Sequence, residues 1–288
     1  MQIRSLSDFE DYEKCVVLQH QVWGFNDRDL LPARYIKVTH MHGGSVLGAF
    51  EGERLIGFAF AQLALHEKRL ALYSNILAVH PDCRNQGIGA QLKLAQRQEA
   101  LQRGIQVMTW AYDPLQARNA YLNLNKLGAV VRKYMRDVYG SSSSSSMHSG
   151  LGTDRVLAEW WLDSPRVRTL IEAAGENTGA QWIQEADLPP SVLVLAGSAP
   201  GKHTLLERHP PGPEPAVTLE IPVQLNELME SDLRLAREWR EASRELLLDL
   251  FGRGFRIVRL ARVRQDAEQN KISYRTFYIL EACENRAD

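Results

Sequence analysis

The sequence predicts an α/β (α+β) fold followed by a C-terminal α+β segment of different character. Three observations carry this. Apolar strand-like runs fill residues 46–79, a glycine-marked loop at 84–89 opens a stretch of helical period, and residues 226–252 form a long amphipathic helix pattern. "VLGAFEGERLIGFAFAQLA" (46–64) reads as two strands joined at Glu51–Glu53, where Gly52 suits a hairpin turn. "LALYSNILAV" (70–79) is a third strand, ended by Pro81. From Gly87 the period becomes helical: Ile88, Leu92 and Ala95, with Leu94 and Leu101 beside them, give an apolar face, and Gly104 after Arg103 suits the helix end. "IQVMTWAY" (105–112) reads as a buried strand stopped by Asp113-Pro114.

"QARNAYLNLNKLG" (116–128) is a short helix and "AVVRKYMRDVYG" (129–140) a strand. The serine run Ser141–Ser146 is expected to be a flexible surface loop. "DRVLAEWWL" (154–162) reads as a strand that returns to the same sheet, so the domain boundary is set near Pro165, giving domains 1–165 and 166–288. In the second segment "SVLVLAG" and "AVTLEIPV" are strands separated by the proline-rich "RHPPGPEPA", and "FRIVRLARV" and "SYRTFYIL" form an antiparallel pair. Within 226–252, Leu235, Trp239, Ala242 and Leu246 share one face, while Arg237, Arg240 and Arg244 alternate with glutamates as a solvated face.

Composition narrows the function. The chain has 288 residues, 44% hydrophobic and 24% charged, the balance of a globular protein. A formal net charge of −1 argues against a general nucleic-acid or acidic-membrane binder, which needs a cationic surface. The start "MQIRSLSDFEDYEK" lacks the apolar stretch of a secretory signal, and no apolar run approaches the ~20 residues that cross a bilayer. Three scattered cysteines, Cys15, Cys83 and Cys283, suggest reduced thiols in a cytoplasm. The eight histidines show no ligand clustering, which disfavours a structural metal.

Glycines before a helix suit a phosphate, because the first turn offers unpaired N–H groups and the positive end of the helix dipole. A Walker loop requires a lysine after its glycines, and none follows here. A dinucleotide loop requires a third glycine and an acid at the end of a second strand, and both are missing. What stands is RxxGxG, Arg84-Asn85-Gln86-Gly87-Ile88-Gly89, between a strand and an amphipathic helix.

With "ILAVHPDCRNQGIGAQLKLAQRQEALQRG" (76–104), the preceding hairpin and "NKLGA" (125–129), the first ~140 residues resemble the GNAT superfamily of acyl-CoA-dependent N-acyltransferases. The resemblance implies a mixed, mostly antiparallel central sheet flanked by helices, with acetyl-CoA or another acyl-CoA as cosubstrate. It implies that the backbone of Leu77, Ala78 and Val79 pairs with the pantetheine arm. Amides of Gln86, Gly87, Ile88, Gly89 and Ala90 would hold the pyrophosphate, with Arg84 near it, and Asn85 and Asn119 are further cofactor-binding residues. The tyrosine that often acts as general acid in the family corresponds to Leu124, and an asparagine often found earlier corresponds to Ala117. These departures make Tyr121 the substitute acid. No carboxylate occupies the strand position of the usual base, where Tyr73 and Asn75 stand. Asp154 and Glu159 are further base candidates, each expected to be a surface or salt-bridged residue.

Beyond residue 150, "TDRVLAEWWL" and "LAREWREASRELLLDLFGRGFRIV" resemble the extension of a bacterial GNAT-like family. Some of its relatives are encoded near enzymes of N-succinylamino acids or succinylbenzoate, which implies an amino-acid acceptor or a succinyl donor. Trp160, Trp161 and Trp239 are expected in core or interface packing. Two functions follow: acyl transfer to the amine of a small molecule, or acyl-CoA binding without turnover. Acceptor binding and homodimer formation stay open as roles of 166–288.

Overall fold

The structure, a computed structural model, describes residues 1–24, 27–140, 150–173, 182–195, 206–209, 211–265 and 273–283. The serine run 141–146 lies outside them. The described residues form two compact units. The first holds Met1–Ala111 and Glu159–Arg168; the second holds Tyr112–Gly140, Gly150–Ala158 and the described part of Thr169–Asp288. One division falls between Arg168 and Thr169, near residue 165, but Tyr112–Gly140 and Gly150–Ala158 group with the second unit.

In the first unit the strands are β1 (Gln2–Ser5), β2 (Ser45–Glu51), β3 (Arg54–His66), β4 (Arg69–Val79) and β5 (Val107–Tyr112), hydrogen-bonded in that order. All neighbours are antiparallel except β4 and β5. Helices α1 (Phe9–Trp23) and α2 (Ala33–Met41) follow β1, and α3 (Ile88–Gln102) follows β4. One core layer joins Tyr12, Leu18, Ile36, Phe58 and Phe60, and the other joins Ala49, Ile56, Ala59, Ile88 and Leu92. Ile56 reaches a different layer from Phe58, two residues on, because the ladder slips there: Leu55 faces Phe50 while Gly57 faces Ala49. The extra residue reverses the alternation of side chains.

In the second unit α4 (Ala117–Ala120) runs into a π-helical turn, Tyr121–Lys126, followed by β6 (Val130–Met135). Strand β7 (Arg155–Trp161) and helix α5 (Pro165–Ala173) each run across the division between the units. Then come β8 (Trp182–Ile183), β9 (Ser191–Leu195), β10 (Leu206–Arg208), β11 (Ala216–Ile221), α6 (Leu225–Ser231), α7 (Leu233–Gly252), β12 (Phe255–Gln265) and β13 (Ser273–Ala282). The strands run β6-β12-β13-β11-β9-β10, with β8 also on β12.

The second unit also takes in stretches that precede residue 165. The segment after β5 packs with C-terminal strands: Asn125 brackets Leu260 by donating to its carbonyl at 3.0 Å and accepting from its N–H at 2.9 Å. Tyr278 donates to the carbonyl of Pro114 at 2.7 Å. Nor is 226–252 one helix. Asp232 adopts an extended conformation, and its carboxylate accepts from the N–H of Leu235 at 2.9 Å, so it ends α6 and caps α7. The strand expected over 129–140 ends at Met135. Elements β1, α1 and α2 have no counterpart among the sequence expectations.

Asn125 replaces a missing ladder partner for a buried strand residue, so Asn125→Ala leaves two backbone groups unpaired. A loss of about 2 kcal/mol is expected, read as a lower denaturation midpoint with an unchanged slope.

Candidate functional site

The site begins with an uneven pairing of β4. Against β3 its ladder runs from Arg69 to Val79, with one slip: Ser74 faces Ala61 and Ile76 faces Phe60, leaving Asn75 as the extra residue. Against β5 only Leu72 and Tyr73 are paired, to Met108 and Thr109. Over Asn75–Val79 the edge of β4 on the β5 side therefore has no strand ladder among the described residues. A backbone edge of this kind accepts an extended ligand as an added strand. Leu77, Ala78 and Val79 lie on it; their β3 partners are Ala59, Phe58 and Gly57.

After β4 the chain turns sharply. The amide of His80 donates to the Ile56 carbonyl at 2.8 Å, and Pro81–Cys83 form a single 3-10 turn. The turn is capped by the His80 ring, whose Nδ1 accepts from the Asp82 amide at 3.3 Å. Arg84 is extended and exposed, and Asn85 and Gly87 take left-handed conformations with φ of 65° and 77°. Helix α3 then starts at Ile88, without a side-chain cap at Gly87. Amides of Ile88, Gly89 and Ala90 are in the first turn, where helix geometry supplies no acceptor. Ile88 is buried and anchors the turn in the core, while Gln86 and Gly87 are exposed.

The two glycines differ. Gly87 is needed for its backbone conformation, and a Cβ there would have only the end of Gln91 nearby, at 3.8 Å. Gly89 is helical, and a Cβ would touch Leu77 Cδ2 at 3.5 Å, an ordinary contact. Strain is therefore a reason for glycine at 87 and not at 89.

Behind the loop, α3 carries a group absent from the sequence expectations. Lys93 is 2% exposed. Its ammonium donates to Ser74 Oγ at 2.7 Å and stands 3.9 Å from the ring centroid of Trp110. Ser74 in turn donates to Gln96 Oε1 at 3.3 Å, and Gln96 Nε2 has no partner among the described residues. Burial lowers the Lys93 amine to about 7. The buried face of α3 is Ile88, Leu92, Lys93, Gln96 and Ala100, whereas Leu94 and Ala95 are half-buried. Spacing was the available signal, since Lys93 falls seven residues before Ala100 on the same stripe.

The remaining site residues belong to the second unit. Asn119 is exposed on α4, and Tyr121 is half-buried with the Arg262 guanidinium 4.0 Å from its ring centroid. Leu124 is 0% exposed. The arginines of α7 depart from a solvated face. Arg240 is 3% exposed and binds Asp113 at 2.7 Å, and Arg244 binds Asp154 at 2.6 Å. Tyr134 donates to the same Asp154 carboxylate at 2.6 Å. Burial raises the Asp154 carboxyl, but the bonds from Arg244 and Tyr134 outweigh it and hold it below its usual range. Arg237 alone among the three is exposed, donating to the Gly150 carbonyl at 3.1 Å. Trp239 is core, as expected.

Back in the first unit, Trp160 is also core, edge-on to Trp110 at 5.9 Å. Glu159 is buried, with an oxygen 3.5 Å from His66 Nε2. Cys15, Cys83 and Cys283 form no disulfide among the described residues. No helix among the described residues is long and apolar enough to cross a membrane.

The family model described as Acetyltransferase (GNAT) family matches residues 9–125, less than half of the chain. Among solved structures, the Salmonella typhimurium protein yncA with its cofactor acetyl-CoA is 22% identical, covering 57% of this chain and 95% of that one, with a TM-score of 0.46. The ribosomal-protein-S18-alanine N-acetyltransferase of Escherichia coli is 16% identical over 57% and 94%, TM-score 0.44. Aminoglycoside 6'-acetyltransferase type Ii is also 16% identical, over 57% and 99%, TM-score 0.44. No curated protein matches the chain significantly.

Two outcomes follow from this geometry. Gly87→Ala is expected to cost about 1 kcal/mol through its left-handed backbone, while Gly89→Ala stays near the parent in thermal unfolding. For Lys93, the unfolded amine binds a proton up to about pH 10.5 and the folded one only to about 7. Stability therefore rises with pH between those values and carries the full burial cost below them. Lys93→Met removes that slope, and the gap between variant and parent, a few kcal/mol near neutrality, closes as pH rises.

Proposed function

We propose that this protein moves an acyl group from acetyl-CoA or another acyl-CoA, succinyl-CoA included, to the amine of a small molecule such as an amino acid, in the cytoplasm. The observation that carries the reading is the β4 edge at Asn75–Val79, without a strand ladder on the β5 side among the described residues, leading directly into the glycine loop and the first turn of α3. An extended amide-bearing arm suits that edge, and a pyrophosphate suits the turn after it. Backbone groups of Leu77, Ala78 and Val79 bind the arm. Amides of Gln86 through Ala90 hold the pyrophosphate, with Asn85 and Asn119 as further polar contacts, and Arg84 adds positive charge.

Acyl-CoA supplies a thioester activated toward amines, so the chain's own tasks are orientation, oxyanion stabilisation and proton transfer. A backbone N–H of 77–79 serves the oxyanion. Tyr121 gives its proton to the departing thiolate. The Arg262 cation over its ring favours a side chain that becomes negative during that step. The C-terminal segment is assigned to acceptor binding or to a homodimer contact.

Leu124 favours a second reading, acyl-CoA binding without turnover, because a fully buried leucine stands at the position of the family's acid. Thiol release from acetyl- and succinyl-CoA over a panel of amines separates the two. Robust release with any amine supports the transferase, and CoA binding by calorimetry without release supports the sensor. For the transferase, Tyr121→Phe is expected to lower kcat by about 10²-fold or more with little change in KM for acyl-CoA. Gly87→Val and Gly89→Val are expected to weaken CoA binding under either reading; unchanged affinity in both would remove the loop assignment.

A further inference from the structure

The first unit holds a second constellation of reactive side chains. Ser5 ends β1 and is exposed, His40 lies in the last turn of α2 and is half-buried, and Tyr12 lies on α1 at 3% exposure. Ser5 Oγ is 3.2 Å from His40 Nε2, and Tyr12 Oη is 2.8 Å from His40 Nδ1. The phenol has one proton, which Tyr12 donates to the carbonyl of Leu6 at 3.4 Å. With the phenol proton on Leu6, the Nδ1–H tautomer of His40 donates to the phenol oxygen and turns the Nε2 lone pair to the serine hydroxyl, the tautomer that general-base action by His40 requires.

The surroundings keep the ring neutral. Facing it are Ser5 of β1, Tyr12 of α1, and Glu99 and Arg103 of α3. Burial lowers the imidazole's affinity for a proton; Glu99 opposes this and Arg103 adds to it, with a net lowering. A histidine at a helix C-terminus is normally favoured as a cation, and here burial outweighs that. The Glu99 carboxylate is already bound by Ser45 Oγ at 2.6 Å and Arg103 Nη1 at 3.0 Å. Tyr12 is fixed among Leu6, Leu18 and Ile36. The order is that of an activated nucleophile: exposed hydroxyl, neutral base beside it, buried group orienting the base.

We propose that Ser5 is a nucleophilic serine that takes acyl groups from activated carboxylic esters, with His40 as its general base and Tyr12 as a positioning residue. Ser5 Oγ bonds to the ester carbonyl carbon and its proton passes to His40 Nε2. The carbon–oxygen bond to the leaving alcohol breaks, and that oxygen takes the proton from His40. The acyl group remains as an ester on Ser5 until water, deprotonated by the same His40, releases it as a carboxylic acid and restores the hydroxyl. The activity is independent of the glycine loop.

The test treats the full chain with p-nitrophenyl acetate, following p-nitrophenolate release, and with a fluorophosphonate probe, mapping the modified peptide by mass spectrometry. Modification at Ser5 is expected, with a rate that rises with pH through one ionisation below the usual ~6.5 of histidine. Ser5→Ala should abolish the adduct, and His40→Gln should slow its formation by about 10²-fold. Tyr12→Phe should slow it while flattening or shifting the pH profile, a change that loss of packing alone does not produce. Saturating CoA should leave serine labelling intact. Labelling confined to lysines, no adduct on Ser5, or an unchanged rate in a folded His40→Gln variant would overturn the proposal.

Discussion

Strand β4 pairs fully with one neighbour and for only two residues with the other, and the first unit's candidate chemistry depends on this inequality. Backbone N–H and C=O groups must find partners in protein, water or ligand, so an open edge inside a sheet invites an extended molecule. The extra residue at Asn75 has a second effect. It reverses the side-chain alternation, so Ser74 faces Lys93 on α3, Leu77 and Val79 still reach the α3 layer, and Ile76 and Ala78 join the opposite one. One inserted residue thus sets both the backbone edge and the side chains flanking it.

The second unit is organised by buried charge. Arg240 with Asp113, and Arg244 with Asp154 and Tyr134, tie α7 to the segment after β5 and to the residues around β6. Desolvating two charges is costly, and such a pair holds together because each partner would be more costly alone. This gives specificity to a helix whose apolar stripe alone would tolerate rotation. Asp113 is further fixed by accepting from the Leu115 amide at 2.9 Å, which sets the turn that leads into α4.

Two basic side chains in the first unit show burial acting in different ways. Lys93 is enclosed by apolar surface, Ser74 and an indole face, with no carboxylate among the partners described above, and its amine falls to about 7. His40 is only half-buried and meets opposite charges from Glu99 and Arg103, so its shift is the balance of several contributions. The first is a stability liability that pH can relieve. The second stands beside an exposed hydroxyl.

Much of the first unit was legible in the sequence because its signals are local. The hairpin turn at Gly52, the stop at Pro81, the glycine at 87 and the helical period to Gly104 each act over a few residues, and the structure forms the expected strands and helix there. The amphipathic stretch around Trp239 was equally plain. By contrast, Arg240 read as solvated and Lys93 drew no reading, because charge predicts exposure unless a partner distant in sequence is known. Asp113 lies 127 positions from Arg240, and Trp110 meets Lys93 only once β5 lies under α3. The same holds for His40, Tyr12 and Ser5, whose spacing in sequence carries no motif. Sequence by itself determined the strands, the turn chemistry and the phosphate-suited loop, since those follow from backbone preference and hydrophobic period. Tertiary structure decided which polar side chains were buried, which base stayed neutral and where the chain divided, because these depend on contacts between residues far apart along it.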